Sequence, residues 1–123
     1  MAEPTVEQAV VPDGPLTAAI SNAVVGLLRE FTGRGPTQAR TTIGSDTIVV
    51  TLRDSLTKAE RTLAQRGQSL EVLAMRRAFQ DTMREDLVAA VERLTQRTVE
   101  AFLSDNLYEP DVAVEIFLLV PLD

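Results

Sequence analysis

Between Leu70 and Arg97 no glycine or proline interrupts the chain; Leu70 opens the stretch, and from Val72 apolar residues return every three or four positions, at Met75, Phe79, Met83, Leu87, Val91 and Leu94. That spacing places them on one face of a single long α-helix. The opposite face carries Arg76, Arg77, Gln80, Arg84, Glu85, Glu92 and Arg93. At 1.5 Å per residue such a helix spans about 42 Å. A chain of 123 residues has little use for that length by itself. The excess points to a partner chain.

The flanking segments complete an α+β pattern. Residues 1–14 hold Pro4, Pro12, Gly14 and three acids, which reads as a flexible acidic tail. Residues 15–123 read as one domain. Pro15 suits the first turn of a helix. Ile20, Val24, Leu27 and Phe31 follow at helical spacing, and Gly33 supplies the stop. Two β-branched runs, Thr37 to Ile43 and Thr47 to Arg53, flank Gly44-Ser45-Asp46 as a hairpin. Thr57 and Glu60 form a capping box for a short helix ending at Gly67, and Ser69 reads as the cap of the long helix. After Arg97 a strand begins at Val99, a loop is expected over Ser104 to Asp111, and a strongly apolar strand runs from Val112 to Val120. The order is α-ββ-α-α-ββ: a two-layer arrangement of a four-stranded antiparallel sheet with helices on one face. The Val112–Val120 strand would invite pairing if left at an edge. With the long helix, it makes a homodimer the structural expectation.

The residue inventory narrows the chemistry. There is no Cys and no His. Disulfides, thiolate nucleophiles, Ser-His-Asp arrangements and His-ligated metals are therefore excluded. Only carboxylates, arginines, Lys58 and Tyr108 remain for acid–base work. This points away from an enzyme, from a cofactor and from a metal centre. Absence of Cys fits a reducing compartment, the cytoplasm. Asp105, Glu109 and Asp111 cluster in sequence but lack the spacing and glycine of a Ca²⁺ loop. The longest apolar run is far short of the about 20 residues of a membrane span.

Charge is uneven. The net value is −6, yet all eleven arginines and Lys58 lie between residues 15 and 97, and both ends are purely acidic. The total disfavours nucleic acid. The candidate ligand site is Gly33-Arg34-Gly35-Pro36 with Arg40 and Arg53, where backbone N–H groups and guanidinium ions would meet a small anion. The bland alternative is a helix-to-strand connector with Arg34 paired to a carboxylate. The candidate partner-binding surface is Arg76, Arg77 and Arg84; the bland alternative is a solvated face with Arg77–Asp81 and Gln80–Arg84 pairs.

Several short motifs follow one another in a telling order. They are Ile20-Ser21-Asn22, Gly33-Arg34-Gly35-Pro36-Thr37, Leu56-Thr57 with Glu60, Arg77, Phe79, Met83 and Val91-Glu92, then Phe102-Leu103-Ser104-Asp105 and Asp111-Val112-Ala113-Val114-Glu115. Together, over about Leu16 to Val120, they resemble the MpsC-like (YbcI) family of small bacterial proteins, long classed as a domain of unknown function. Gln96 departs from the pattern, standing where a Gly is expected, and Asn106 falls in a more variable region. The resemblance implies an accessory role beside a sodium-translocating, membrane-potential-generating system, linked also to inorganic-carbon uptake. A chain without a span could not conduct ions itself; it would contact membrane subunits peripherally. A small-anion or nucleotide-sensing module is the second reading, and an RNA-binding module the third.

Overall fold

The computed structural model describes residues 14–123, so the acidic segment expected at the N-terminus lies, up to residue 13, outside the described residues. Helix α1 spans Gly14–Thr32, β1 Gln38–Ile43 and β2 Thr47–Arg53. Helix α2 spans Lys58–Gln65, α3 Ser69–Thr95, β3 Val99–Leu107 and β4 Val112–Leu119. The fold is α+β, in the order α-ββ-α-α-ββ, with an antiparallel sheet ordered β1-β2-β4-β3.

Strand alternation decides which residues enter the core. Ile48, Val50 and Leu52 of β2 and Ala113, Phe117 and Leu119 of β4 point to the helices and are buried. They meet Ile20, Val24 and Leu28 of α1 and Met83, Leu87 and Val91 of α3 in one continuous core. Phe102 of β3 closes it, its ring centroid 5.0 Å from that of Phe117. A smaller cluster of Leu56, Ala64 and Val72 sits where α2 packs on α3.

Four local expectations need correction. Ser69 is the first residue of α3, not its cap; Gln68 precedes it and makes no side-chain cap bond. The loop expected over Ser104 to Asp111 is strand in its first half, because β3 runs on to Leu107, and turn from Tyr108 to Asp111. Its polar residues are tolerated there because Ser104 and Asn106 turn inward toward polar groups. The apolar β4 is an interior strand between β2 and β3, so its edge is never open. Finally, the inward stripe of α3 is Val72, Arg76, Gln80, Met83, Leu87, Ala90 and Val91. The helical period was read correctly, but its N-terminal half is rotated. Leu70 is 77 % and Met75 41 % exposed, while Arg76 and Gln80 are buried. Part of the helix's excess length also has a use within the chain, since its first turns carry α2.

Candidate functional site

The loop Gly33–Pro36 begins where α1 stops. Gly33 takes φ +84 and its N–H donates to the Arg29 carbonyl, a left-handed closure that favours glycine. A Cβ on Gly35 would come within 3.1 Å of the Val25 side chain, so the loop lies close against α1. Arg34 donates to the carbonyls of Asp54 (2.6 Å) and Leu56 (3.0 Å) and to the Asp54 carboxylate (3.1 Å). Asp54 also accepts from Arg61. The Thr37 hydroxyl first, and then the Arg34 guanidinium, hold the Asp54 carboxyl below the usual range. Asp111 accepts from the backbone N–H groups of Ser55 and Leu56, at 3.1 Å each. Arg34 thus ties the α1–β1 loop to the β2–α2 connection, and most of its donors are already used.

Arg40 and Arg53 stand elsewhere, on the sheet face turned away from the helices. They line an open cavity of about 600 Å³ with Thr37, Gln38, Ala39 and Thr51. Arg34 does not line it. The fold therefore brings two of the three arginines of the expected anion site together and commits the third to the main chain.

The three arginines of the expected partner surface also separate. Arg76 is buried and donates to Glu60 Oε1 at 2.9 Å and to Ser55 Oγ at 2.8 Å. Its outward placement is corrected: it faces the interior. Arg77 and Arg84 remain exposed. Arg77 reaches over β3 to the Ser104 carbonyl, 3.2 Å, and to Asp105, 3.6 Å, rather than to Asp81. Arg84 lies over the Phe102 ring at 5.1 Å and donates to the Phe102 carbonyl. Gln80, expected to pair with Arg84, turns inward. It exchanges two hydrogen bonds with the Asn106 amide (3.0 and 2.9 Å) and donates to Glu115 at 3.4 Å.

Glu115 is the residue that sequence reasoning passed over. It is 1 % exposed, on the helix-facing side of β4 between Ala113 and Phe117. Burial pushes its carboxyl up to about 7, against the lowering effect of Ser104 and Gln80. Its Oε1 has no hydrogen-bond partner. The available signal was parity: Glu115 shares its strand face with Phe117 and Leu119. Together Ser55, Glu60, Arg76, Gln80, Asn106 and Glu115 form a polar seam beneath the first half of α3. The seam can hold a proton and fix the register of helix on sheet. No thiol or imidazole is available to it.

Comparison with known proteins adds the lineage. Residues 13–120 match the family model described as "Na+-translocating membrane potential-generating system (MpsC)". No curated protein and no solved structure matches the chain. No helix among the described residues is long and apolar enough to cross a membrane. Because the match covers nearly all of the described fold, from α1 to the end of β4, the chain belongs to the MpsC family.

Proposed function

We propose that this protein is a non-enzymatic accessory or regulatory component of a sodium-translocating, membrane-potential-generating system, working as a cytoplasmic homodimer in peripheral contact with membrane subunits. The observation that carries this reading is the family match over residues 13–120. Two features support it. The chain has no His or Cys, so the usual neutral-pH base and the strongest nucleophile are missing. Its buried polar groups are largely joined to one another rather than aimed into a substrate cleft. The test is co-purification from the native organism. A tagged chain expressed at its natural level should be recovered from gently solubilised membranes together with subunits of a sodium-translocating complex. Recovery without any membrane subunit, or a deletion strain with an unaltered sodium-dependent membrane potential, would overturn the reading.

A second reading rests on the cavity between Arg40 and Arg53. Two guanidinium groups there would suit a small anion such as phosphate. Under this reading, phosphate raises the melting temperature of the protein, and the Arg40→Ala, Arg53→Ala double variant loses that rise without losing its fold.

A further inference from the structure

The sheet has two faces, and the helices cover one. Strand pairing arranges the other as rows. One row reads Arg40, Thr51, Val114, Asp105 from β1 through β2 and β4 to β3. The next reads Thr42, Val49, Ile116, Leu103, and a third ends the sheet with Thr47, Leu118 and Ala101; at the opposite end a row reads Gln38, Arg53, Val112 and Leu107. The middle of this face is therefore valine, isoleucine, leucine and threonine methyl groups. Leu103 and Leu107 on β3 are more than half exposed. With strands about 4.8 Å apart and residues about 3.3 Å apart, the face covers on the order of 400 Å². That is about the size of the largest apolar patch on a typical monomer, a patch that is often functional.

We infer that a second copy of this chain covers this face, sheet against sheet, about a two-fold axis that runs parallel to the strands between β2 and β4. This rests on the self-associating reading above and names its surface. The charge pattern selects the occupant and the axis. Arg40 and Asp105 lie in the same row at opposite edges of the sheet. A two-fold parallel to the strands sets β1 over the partner's β3 and β2 over the partner's β4. Each Arg40 then faces an Asp105 across the interface, and the isologous symmetry makes the pair twice. The same operation places Val49 over Ile116 and Thr51 over Val114. The result is an apolar centre with a charged rim, the usual anatomy of an interface. Stacked sheets lie about 10 Å apart, a gap that an arginine and an aspartate can bridge together. Among the described residues Arg40 makes no ion pair. The Asp105 side chain is 80 % exposed; its Oδ1 accepts from the Asn106 backbone N–H at 2.8 Å, and its one ion pair among the described residues is the long 3.6 Å contact with Arg77.

The test is charge exchange in the full chain, read by light scattering and by sedimentation across a dilution series. The wild-type chain is expected to be dimeric at on the order of 100 µM, the range for an interface of modest area. Arg40→Asp and Asp105→Arg should each weaken self-association at least tenfold, since each sets like charges face to face twice. An equimolar mixture of the two variants should restore a heterodimer. The double variant R40D/D105R should restore the homodimer. Arg77→Ala removes the intramolecular neighbour of Asp105 and should leave the dimer intact. All these side chains are on the surface, so thermal melts confirm that each variant is folded. A dimer whose strength is indifferent to both single exchanges would overturn this surface while leaving the homodimer itself standing. A wild-type chain that stays monomeric at that concentration would overturn both. Single exchanges that weaken the dimer without rescue in the mixture would reject the strand-parallel axis.

Discussion

Arg76 of α3 donates to Glu60 of α2 at 2.9 Å, and both side chains are almost fully buried, 6 % and 3 % exposed. Glu60 serves two partners with one oxygen: Oε1 accepts from Arg76 and also from the Thr57 backbone N–H that opens α2. The capping box and the helix–helix contact are therefore one construction. Glu60→Ala leaves the Arg76 guanidinium buried without its counter-ion. Removing one member of a buried pair costs about 3–5 kcal/mol, while removing both costs less than the sum. Urea unfolding of Glu60→Ala, Arg76→Met and the double variant should show that non-additivity. Additive losses would mean that the pair is not coupled.

Glu115 makes stability fall as pH rises. Its carboxyl is pushed up to about 7 from an ordinary value of 4.5. Between these values the folded chain keeps a proton that the unfolded chain has released. Protons bound on folding favour the folded state at low pH, so this contribution declines from about pH 4.5 and levels off above about pH 7. Glu115→Gln keeps the shape and cannot ionise. It should be more stable than the wild type at about pH 8, by on the order of 3 kcal/mol, and nearly equal to it at about pH 4. Unfolding free energies at the two pH values check this; a difference that does not depend on pH contradicts it.

Arg34 holds two main-chain carbonyls and a carboxylate. Arg34→Ala should cost on the order of 1–3 kcal/mol at neutral pH, with Arg34→Lys recovering only part, because an ammonium lacks the planar fork. A second effect is directional. The carboxyl of Asp54 is held below 3.8, first by Thr37 and then by Arg34. That contribution to stability is present above pH 3.8 and is lost as the pH falls below it. The alanine variant should therefore lose less on acidification over that window than the wild type does. Acid titration of unfolding midpoints measures the difference.

Gln96 closes α3 in the left-handed region, at φ +60, where a side chain is strained. Gln96→Gly relieves that strain and forfeits only an exposed side-chain bond to the Arg93 carbonyl. A gain of about 1 kcal/mol is expected, read as a higher melting temperature. The family resemblance had led to the expectation of a glycine at this position, and the backbone angle supplies the reason.

Much of the fold was legible along the chain, because it depends on short-range rules. Gly33 ended α1, Thr57 and Glu60 capped α2, and two β-branched runs about Gly44-Ser45-Asp46 made the first hairpin. The candidate site was legible only in pieces. Arg40 and Arg53, named for one anion site, do lie side by side at one cavity, but away from Arg34. Arg34 does pair with a carboxylate, Asp54, as the connector reading expects, but its two carbonyl partners lie twenty or more residues away, which no local pattern reveals. Arg76 and Gln80 were set on the wrong side of α3 because a hydrophobic pattern assumes that polar residues face water. Here Glu60, Ser55, Asn106 and Glu115 wait beneath them.

What the amino-acid sequence determined by itself is the list of elements, their order, the α+β class and the chemistry that no side chain here can perform. Hydrophobic period, caps and turns act over a few residues and are written in consecutive letters. Only the tertiary structure decided that β4 lies inside the sheet, that α2 covers the start of α3, that a polar seam runs under the long helix, and that Arg40 and Asp105 share one row of an uncovered face. Those outcomes depend on which distant segments pair. Pairing is settled by the free energy of the whole packed core and its buried hydrogen bonds, not by any one stretch.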